Sequence, residues 1–451
     1  MSDQPGRRPR VLVVSASPIG EAMAGPAIRA WEFARSLRGV ADVTLAAAHD
    51  NPERDGAADA GHLVFRQRDP SALRPAALAA DVIVSQPPWP QLAAWARDSG
   101  ARLVYDLYDP EPLEVLAHLD AGGTAGSAQA DGIMTRVWET FTLDRVLDSL
   151  HDAHHLLCAS EKQRDLWIGA MLAERLIDLR NYERDPSFRD LIEVVPFGLP
   201  EDPPEPAGSG GIRARFPAIA PGDEIVLWNG GLWNWLDAPT AIAAAGELAE
   251  RRPVRLVFMG HTENVNSRRA AAEARALAGR LGLIDRVVFF NDGWVPYAER
   301  ADWLLEADCA VSCHVEHLET RYAFRTRVLD CFWARLPVVC TRGDELAARI
   351  ERDDLGAAVP ESSPGALAAA LEGVLGRGRD AYAQALARAA TDFAWERVTE
   401  PVVRFATAGP PGERIGRPSA ARAARTTRAT AFRAVRGGLA KAGLGDWPRT
   451  A

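Results

Sequence analysis

Short apolar runs rich in Val, Ile and Leu alternate with amphipathic stretches along this chain, and the alternation restarts after a Gly/Pro-rich linker. Runs of this kind, bounded by turn residues, imply parallel strands covered by helices on both faces. In the first half, strands are expected at 10–16, 42–47, 63–65, 82–85, 103–106, 155–158 and 192–195, and helices at 26–37, 90–98, 130–150, 161–175 and 185–190. After the linker at 201–211, strands are expected at 225–228, 255–259, 286–290, 309–313, 337–340 and 357–359. Helices fit 239–250, 267–282, 297–306, 325–334, 344–352, 364–375 and 380–392. The fold class is therefore α/β: two Rossmann-like, doubly wound domains facing across a cleft. In such sheets ligands bind beyond the carboxyl ends of the strands.

A chain of 451 residues is too long for a single ordinary core, which agrees with two domains. Its five cysteines are few and sit in apolar, strand-like settings, so buried thiols in a reducing compartment are expected. Cys309, Cys313, His314 and His317 match no standard zinc spacing, and no metal is expected. No apolar run reaches the ~18 residues of a membrane span. Arg7, Arg8 and Arg10 precede a short apolar stretch that polar Ser15 and Ser17 interrupt, which reads as a first strand and not as a signal peptide. A cytoplasmic protein follows. Residues 411–451 hold nine Lys/Arg against two Asp/Glu, so the net charge of −9 leaves an acidic body and argues against nucleic-acid binding. The tail at 410–451 reads as a solvated, disordered extension or as a basic helix touching anionic lipid at the inner face of a membrane.

The stretch 319–345 says most about chemistry. Arg325 and Arg327 open an expected helix, where the helix dipole favours acids. A bound anion would resolve that conflict, because free backbone N–H groups and guanidinium forks both suit phosphate oxygens. Asp330, one to two turns on, is placed to accept from sugar hydroxyls. The alternative is plain salt bridging, Arg327 with Asp330 and Glu319 with Arg321.

Other candidates end expected strands. Gly25 and Pro26 start a helix after the first strand and suit close approach of a ligand, or a helix start without one. Gly230 and Gly231 follow the first strand of the second domain. Trp233 and Trp235 stack on a sugar there or simply pack, and Asp237 reads as a helix cap. Asp106 and Asp109 end another strand and either position sugar hydroxyls or cap the next segment. Trp294 is placed to flank a base.

In order and spacing these residues resemble the retaining glycosyltransferases of family 4, which have the GT-B architecture. The resemblance runs from Arg10 to about Phe405. Its anchors are Ala24-Gly25-Pro26-Ala-Ile-Arg29, Val195-Pro-Phe-Gly-Leu199, Gly230-Gly231, and Val328-Leu-Asp330 followed by Leu336-Pro-Val-Val339. Phe393-Ala-Trp395-Glu396 looks like the start of the family's closing helix. The implied layout is an acceptor-side domain at 1–200, a linker at 201–211, a donor-side domain at 212–393, a closing helix at 394–409 and a tail at 410–451. The resemblance implies a sugar transfer from a nucleoside-diphosphate donor to a glycan, lipid-linked or small-molecule acceptor, with retention and without metal or other cofactor. Gly25, Gly230 and Gly231 would lie by the donor phosphates, Trp294 and Val295 near the base, and Asp330 on the ribose. Asp106, Asp109 and Trp233 would face the acceptor.

The chain also departs from the pattern. Tyr322 stands where the family has the first glutamate of its Glu-x7-Glu motif, and the usual Arg and Lys are missing from the Gly230–Asp237 loop. Arg325 and Arg327 are expected to replace those cations as catalytic clamps, and Glu319 to replace the glutamate. A sugar-nucleotide epimerase and a non-catalytic sugar-nucleotide-binding module remain as alternatives. A dehydrogenase is disfavoured, since the first strand–helix turn lacks Gly-x-Gly-x-x-Gly.

Overall fold

The computed structural model describes residues 7–20, 23–49, 61–67, 69–86, 89–120, 131–208, 210–260, 265–408 and 415–416. The chain forms two compact units, one of Met1–Leu119, Thr124–Pro196 and Val398–Ala451, the other of Asp120–Gly123 and Phe197–Arg397.

The first unit holds strands β1 (Arg10–Ser15), β2 (Asp42–Ala48), β3 (Leu63–Phe65), β4 (Val82–Ser85), β5 (Arg102–Asp106), β6 (His155–Cys158) and β7 (Ile192–Val194). They make one sheet in the order β3-β2-β1-β4-β5-β6-β7, every neighbouring pair parallel. β4 and β5 are buried along their whole length, as strands covered on both faces must be. Helix Gly25–Leu37 packs Ala27, Ile28, Phe33 and Leu37 inward and places Pro26 in its first turn, where the missing N–H costs nothing.

The second unit repeats the plan with β8 (Glu224–Trp228), β9 (Val254–Phe258), β10 (Val288–Phe290), β11 (Cys309–Ser312), β12 (Val338–Thr341) and β13 (Gly356–Val359). Their order is β10-β9-β8-β11-β12-β13, again all parallel. In each sheet the chain works outward to one side of its first strand, then returns and works outward on the other. The switch falls between β1 and β4 in one unit and between β8 and β11 in the other. At such a point the two flanking loops diverge to opposite faces and leave a crevice beyond the strand ends.

Every expected strand is present, with ends shifted by a residue or two. One helix is displaced. The helix expected at 185–190 is absent; a helix runs instead over Leu179–Arg184, where Asp178 and Asn181 form a capping box. It stops because Asp185 precedes a proline and takes an extended conformation, φ −150° and ψ 99°. The linker is tied to the second unit: the N–H of Ala207 donates to Asp302 at 2.6 Å, and Trp333 Nε1 donates to the carbonyl of Asp202 at 2.7 Å. Residues 394–409 hold two short helices, Trp395–Val398 and Glu400–Thr407. Most of the basic tail lies outside the described residues. Ile415 is buried, and its N–H donates to the Ala153 carbonyl in the first unit. No helix among the described residues is long and apolar enough to cross a membrane.

Candidate functional site

The switch point of the second sheet gathers most of the candidate residues. β8 ends at Trp228, and Asn229, Gly230 and Gly231 continue from it. Gly230 has φ +107°, a conformation that side-chain-bearing residues rarely adopt. A methyl group in place of its hydrogen would lie 3.5 Å from Cζ of Arg327, so this bare backbone faces a guanidinium. A methyl on Gly231 would meet Trp233 Nε1 at 3.1 Å and Trp294 Cζ3 at 3.5 Å. Trp233 in turn stacks on Trp235, ring centroids 5.1 Å apart and 13° from parallel. Trp294 is 39% exposed, and its neighbour Val295 is buried.

Helix Thr326–Trp333 begins beside this loop, with Arg325 as its N-cap and no side chain capping it. Asn229 Nδ2 donates to the Arg327 carbonyl at 2.6 Å and locks the first turn to the end of β8. Both arginines are half-buried. Arg325 donates to Glu319 at 2.8 Å and to the Thr320 hydroxyl at 3.4 Å, and its Nε is buried without a hydrogen-bond partner. Arg327 meets no carboxylate among the described residues, and its buried Nη1 has no hydrogen-bond partner. Burial, with a lesser push from Arg325, lowers its pKa to about 10. At that value it stays charged at neutral pH, faced by the Trp228 ring at 5.9 Å and by no carboxylate among the described residues. A half-buried cation without a counter-charge is costly, and an anion bound beside it would reduce that cost.

The pairing alternatives are settled differently from either expectation. Glu319 is held by Arg325 and not by Arg321, and it is buried with 3% exposure. Asp330 is not held by Arg327. It accepts from Arg300 Nε at 3.3 Å. That guanidinium is sandwiched, 3.6 Å from the Tyr297 ring centroid and 4.5 Å from that of Trp333, and donates to the Tyr297 carbonyl and hydroxyl. Burial pushes the Asp330 carboxyl upward in pKa and Arg300 pulls it back. Asp237 does cap the helix Ala238–Leu248, accepting from the Thr240 N–H at 3.1 Å.

In the first unit, Gly25 is the opening residue of its helix, which no side chain caps. Asp106, at the end of β5, has both oxygens occupied: Arg29 donates to them at 2.6 and 2.9 Å. Arg29 also donates to the carbonyls of Val195 and Pro196 and lies over the rings of Phe33 and Tyr108. Asp109 is half-buried after β5. Arg29, Arg300, Asn229 and His314 were not singled out by sequence as parts of these clusters. Arg29 lies in an anchor of the resemblance and Arg300 also bonds nearby Tyr297, but the carboxylates Asp106 and Asp330 that they hold, and the Arg327 carbonyl that Asn229 holds, are remote in the chain. His314 attracted notice only as a metal ligand. No group of three or more His, Cys, Asp or Glu residues is gathered as a metal shell among the described residues.

Residues 223–377 match the family described as Glycosyl transferases group 1. A sequence search of curated proteins matches none. In structure the chain is similar to HepE from Anabaena in complex with UDP-glucose, with TM-score 0.63 and 14% identity over 88% of this chain and 99% of that one. It is similar to sucrose-phosphate synthase from Thermosynechococcus elongatus, with TM-score 0.58 and 16% identity over 88% and 98%. It is also similar to WaaG, a glycosyltransferase involved in lipopolysaccharide biosynthesis, with TM-score 0.56 and 16% identity over 89% and 100%. The fold is thus GT-B, as the sequence resemblance implies.

Proposed function

We propose that this chain is a glycosyltransferase that moves a sugar from a nucleoside-diphosphate donor to a hydroxyl of a glycan, lipid-linked or small-molecule acceptor, with retention at the anomeric carbon. The observation that carries the reading is Arg327: a half-buried guanidinium with no carboxylate among the described residues, set against the bare backbone of Gly230 at the switch point of the second sheet. The family match over the same unit, and a neighbour whose crystals hold UDP-glucose, point the same way.

In the reaction the bond from the anomeric carbon to the β-phosphate oxygen breaks, and its electron pair stays on the phosphate. The acceptor oxygen forms the new bond and loses its proton to a phosphate oxygen of the leaving group. Negative charge grows on the departing diphosphate, and the fixed cations Arg325 and Arg327, with the N–H groups beside Gly230 and Gly231, lower the barrier. They take the part that a metal ion takes in other transferases. Glu319 is a positioning residue that holds Arg325. Asp330, held by Arg300, accepts from the ribose hydroxyls, and Trp294 and Val295 flank the base. Gly25, with the donor role, and Asp109 and Trp233, with acceptor roles, keep the parts that the sequence resemblance implies for them.

The test is turnover and donor binding in Arg327→Ala and Arg325→Ala. Each is expected to lose at least tenfold in kcat, on the scale of a deleted charge-stabilising donor. Wild-type turnover in both would overturn the clamp. Donor hydrolysis or epimerisation with no transfer to any acceptor would favour the epimerase, and tight donor binding without turnover would favour a binding module.

A further inference from the structure

His314 follows β11, on the other flank of the switch point from Gly230. It is 1% exposed. Its surroundings fix which ring nitrogen carries the proton. The backbone N–H of His314 donates to the Thr341 hydroxyl oxygen at 3.0 Å, and the same oxygen lies 2.9 Å from His314 Nδ1. A hydroxyl has one proton to give. The backbone N–H is itself a donor, so Nδ1 is the acceptor within reach of that proton. With the hydroxyl proton donated to Nδ1, as this pairing allows, the ring hydrogen sits on Nε2. Burial, with Arg325 next in weight, lowers the pKa to about 3, so the ring is neutral at physiological pH.

Nε2 is buried and has no hydrogen-bond partner. The Arg342 carbonyl favours an N–H on the ring but makes no hydrogen bond to Nε2. Opposite lies Gly343, where even an added methyl would stand 3.8 Å from Nε2 and 3.2 Å from Thr320 Cγ2. Thr320 is the residue that Arg325 also holds. Three buried nitrogens have no hydrogen-bond partner among the described residues: Nε2 of His314, Nε of Arg325 and Nη1 of Arg327. A buried donor left unpaired is destabilising, and an acceptor oxygen bound there would remove that penalty.

We infer that His314 is a further ligand-binding residue of this site, donating from Nε2–H to a phosphate oxygen of the bound nucleoside diphosphate, with Thr341 as the residue that sets its tautomer. The inference rests on the donor-binding reading above and adds to it a neutral donor that no charge rule would pick out. A neutral N–H adds a hydrogen bond without adding a third positive charge beside Arg325 and Arg327.

The experiment uses the full chain labelled with 15N-histidine. The long-range 1H–15N spectrum is expected to show His314 with a pyridine-type Nδ1 and a pyrrole-type Nε2, and the Nε2 signal is expected to move when UDP, GDP or ADP is added. Calorimetric titration of His314→Asn is expected to show at least tenfold weaker diphosphate binding with uridine, guanosine or adenosine binding unchanged. His314→Gln, which places an amide N–H near the Nε2 position, is expected to recover part of the loss. A proton on Nδ1 overturns the inference. So does an Nε2 signal that ignores a bound diphosphate, the result a purely structural ring leaning on the Arg342 carbonyl would give. Wild-type diphosphate affinity in folded His314→Asn overturns it too, and leaves the donor-binding reading standing. A wild-type chain that takes up none of the three diphosphates overturns both.

Discussion

At the scale of single residues, the site works through side chains whose partners are incomplete. Arg300 shows the opposite case, a guanidinium with every direction used: two rings, a carbonyl, a hydroxyl and the Asp330 carboxylate. Its task in the proposed reaction is to orient Asp330 toward ribose. Arg300→Met keeps the stem between the rings and frees the carboxylate, so KM for the donor is expected to rise about tenfold while kcat stays within a few-fold, because ribose contacts are equal in ground and transition states. Steady-state kinetics checks it, and a fall confined to kcat would contradict it. His314 has a stability consequence apart from ligands. Its folded pKa of about 3 lies below the ordinary 6.5, so between those values the unfolded chain binds the extra proton. The contribution is kept above that window and lost as pH falls through it. The stability difference between wild type and His314→Asn is expected to shrink from pH 6.5 downward, measured by denaturant unfolding. Sequence shows Arg325 and Arg327 because two cations at a helix start oppose its dipole, and Glu319 because the family's first glutamate is missing nearby. It does not show the Arg300–Asp330 or His314–Thr341 pairs, whose members stand 30 and 27 residues apart and meet only through the sheet.

At the scale of elements, caps and prolines decide where helices begin and end. Asp237 caps Ala238–Leu248 through the Thr240 N–H, and its other oxygen is buried without a partner. Asp237→Ala is expected to cost about 1 kcal/mol by removing the cap. Chemical denaturation reads that loss, and an unchanged midpoint would assign the helix start to Pro239 alone. The strands are legible because their apolar runs have nowhere to go except between two layers of helices. The shortest helices are not. Leu318–Tyr322 spans five residues, too few for a 3.6-residue period to register, and so the direction of Glu319 is hidden from sequence. Leu179–Arg184 lies six residues before the expected 185–190, because the Asp178 capping box and the block at Pro186 outweigh the apolar pattern there.

At the scale of the whole molecule, two sheets share one winding order, and the strand–helix alternation in the sequence shows this before any contact is known. What alternation alone cannot give is which switch point carries charge, since that depends on loops whose chemistry is set by a few side chains. A ligand that binds only the folded chain stabilises it, by about 2.7 kcal/mol at a hundredfold excess over Kd. Thermal melting with a panel of nucleoside diphosphates is expected to rise with at least one of them, and to rise less in Arg327→Ala. With arginines in the clamp, transferase activity is expected to persist after chelation with EDTA. Loss of activity that Mg²⁺ or Mn²⁺ restores would show that the arginines do not suffice.

In the proposed reaction, the missing counter-charge on Arg327 is also expected to set the rhythm of the cycle. Once the sugar has gone, the spent nucleotide carries more negative charge than the intact donor did, and it fits the stranded guanidinium better than what it replaced. Discharge of that by-product is then expected to pace turnover: the opening turnover should outrun those that follow, and added nucleoside diphosphate should compete hard against fresh donor.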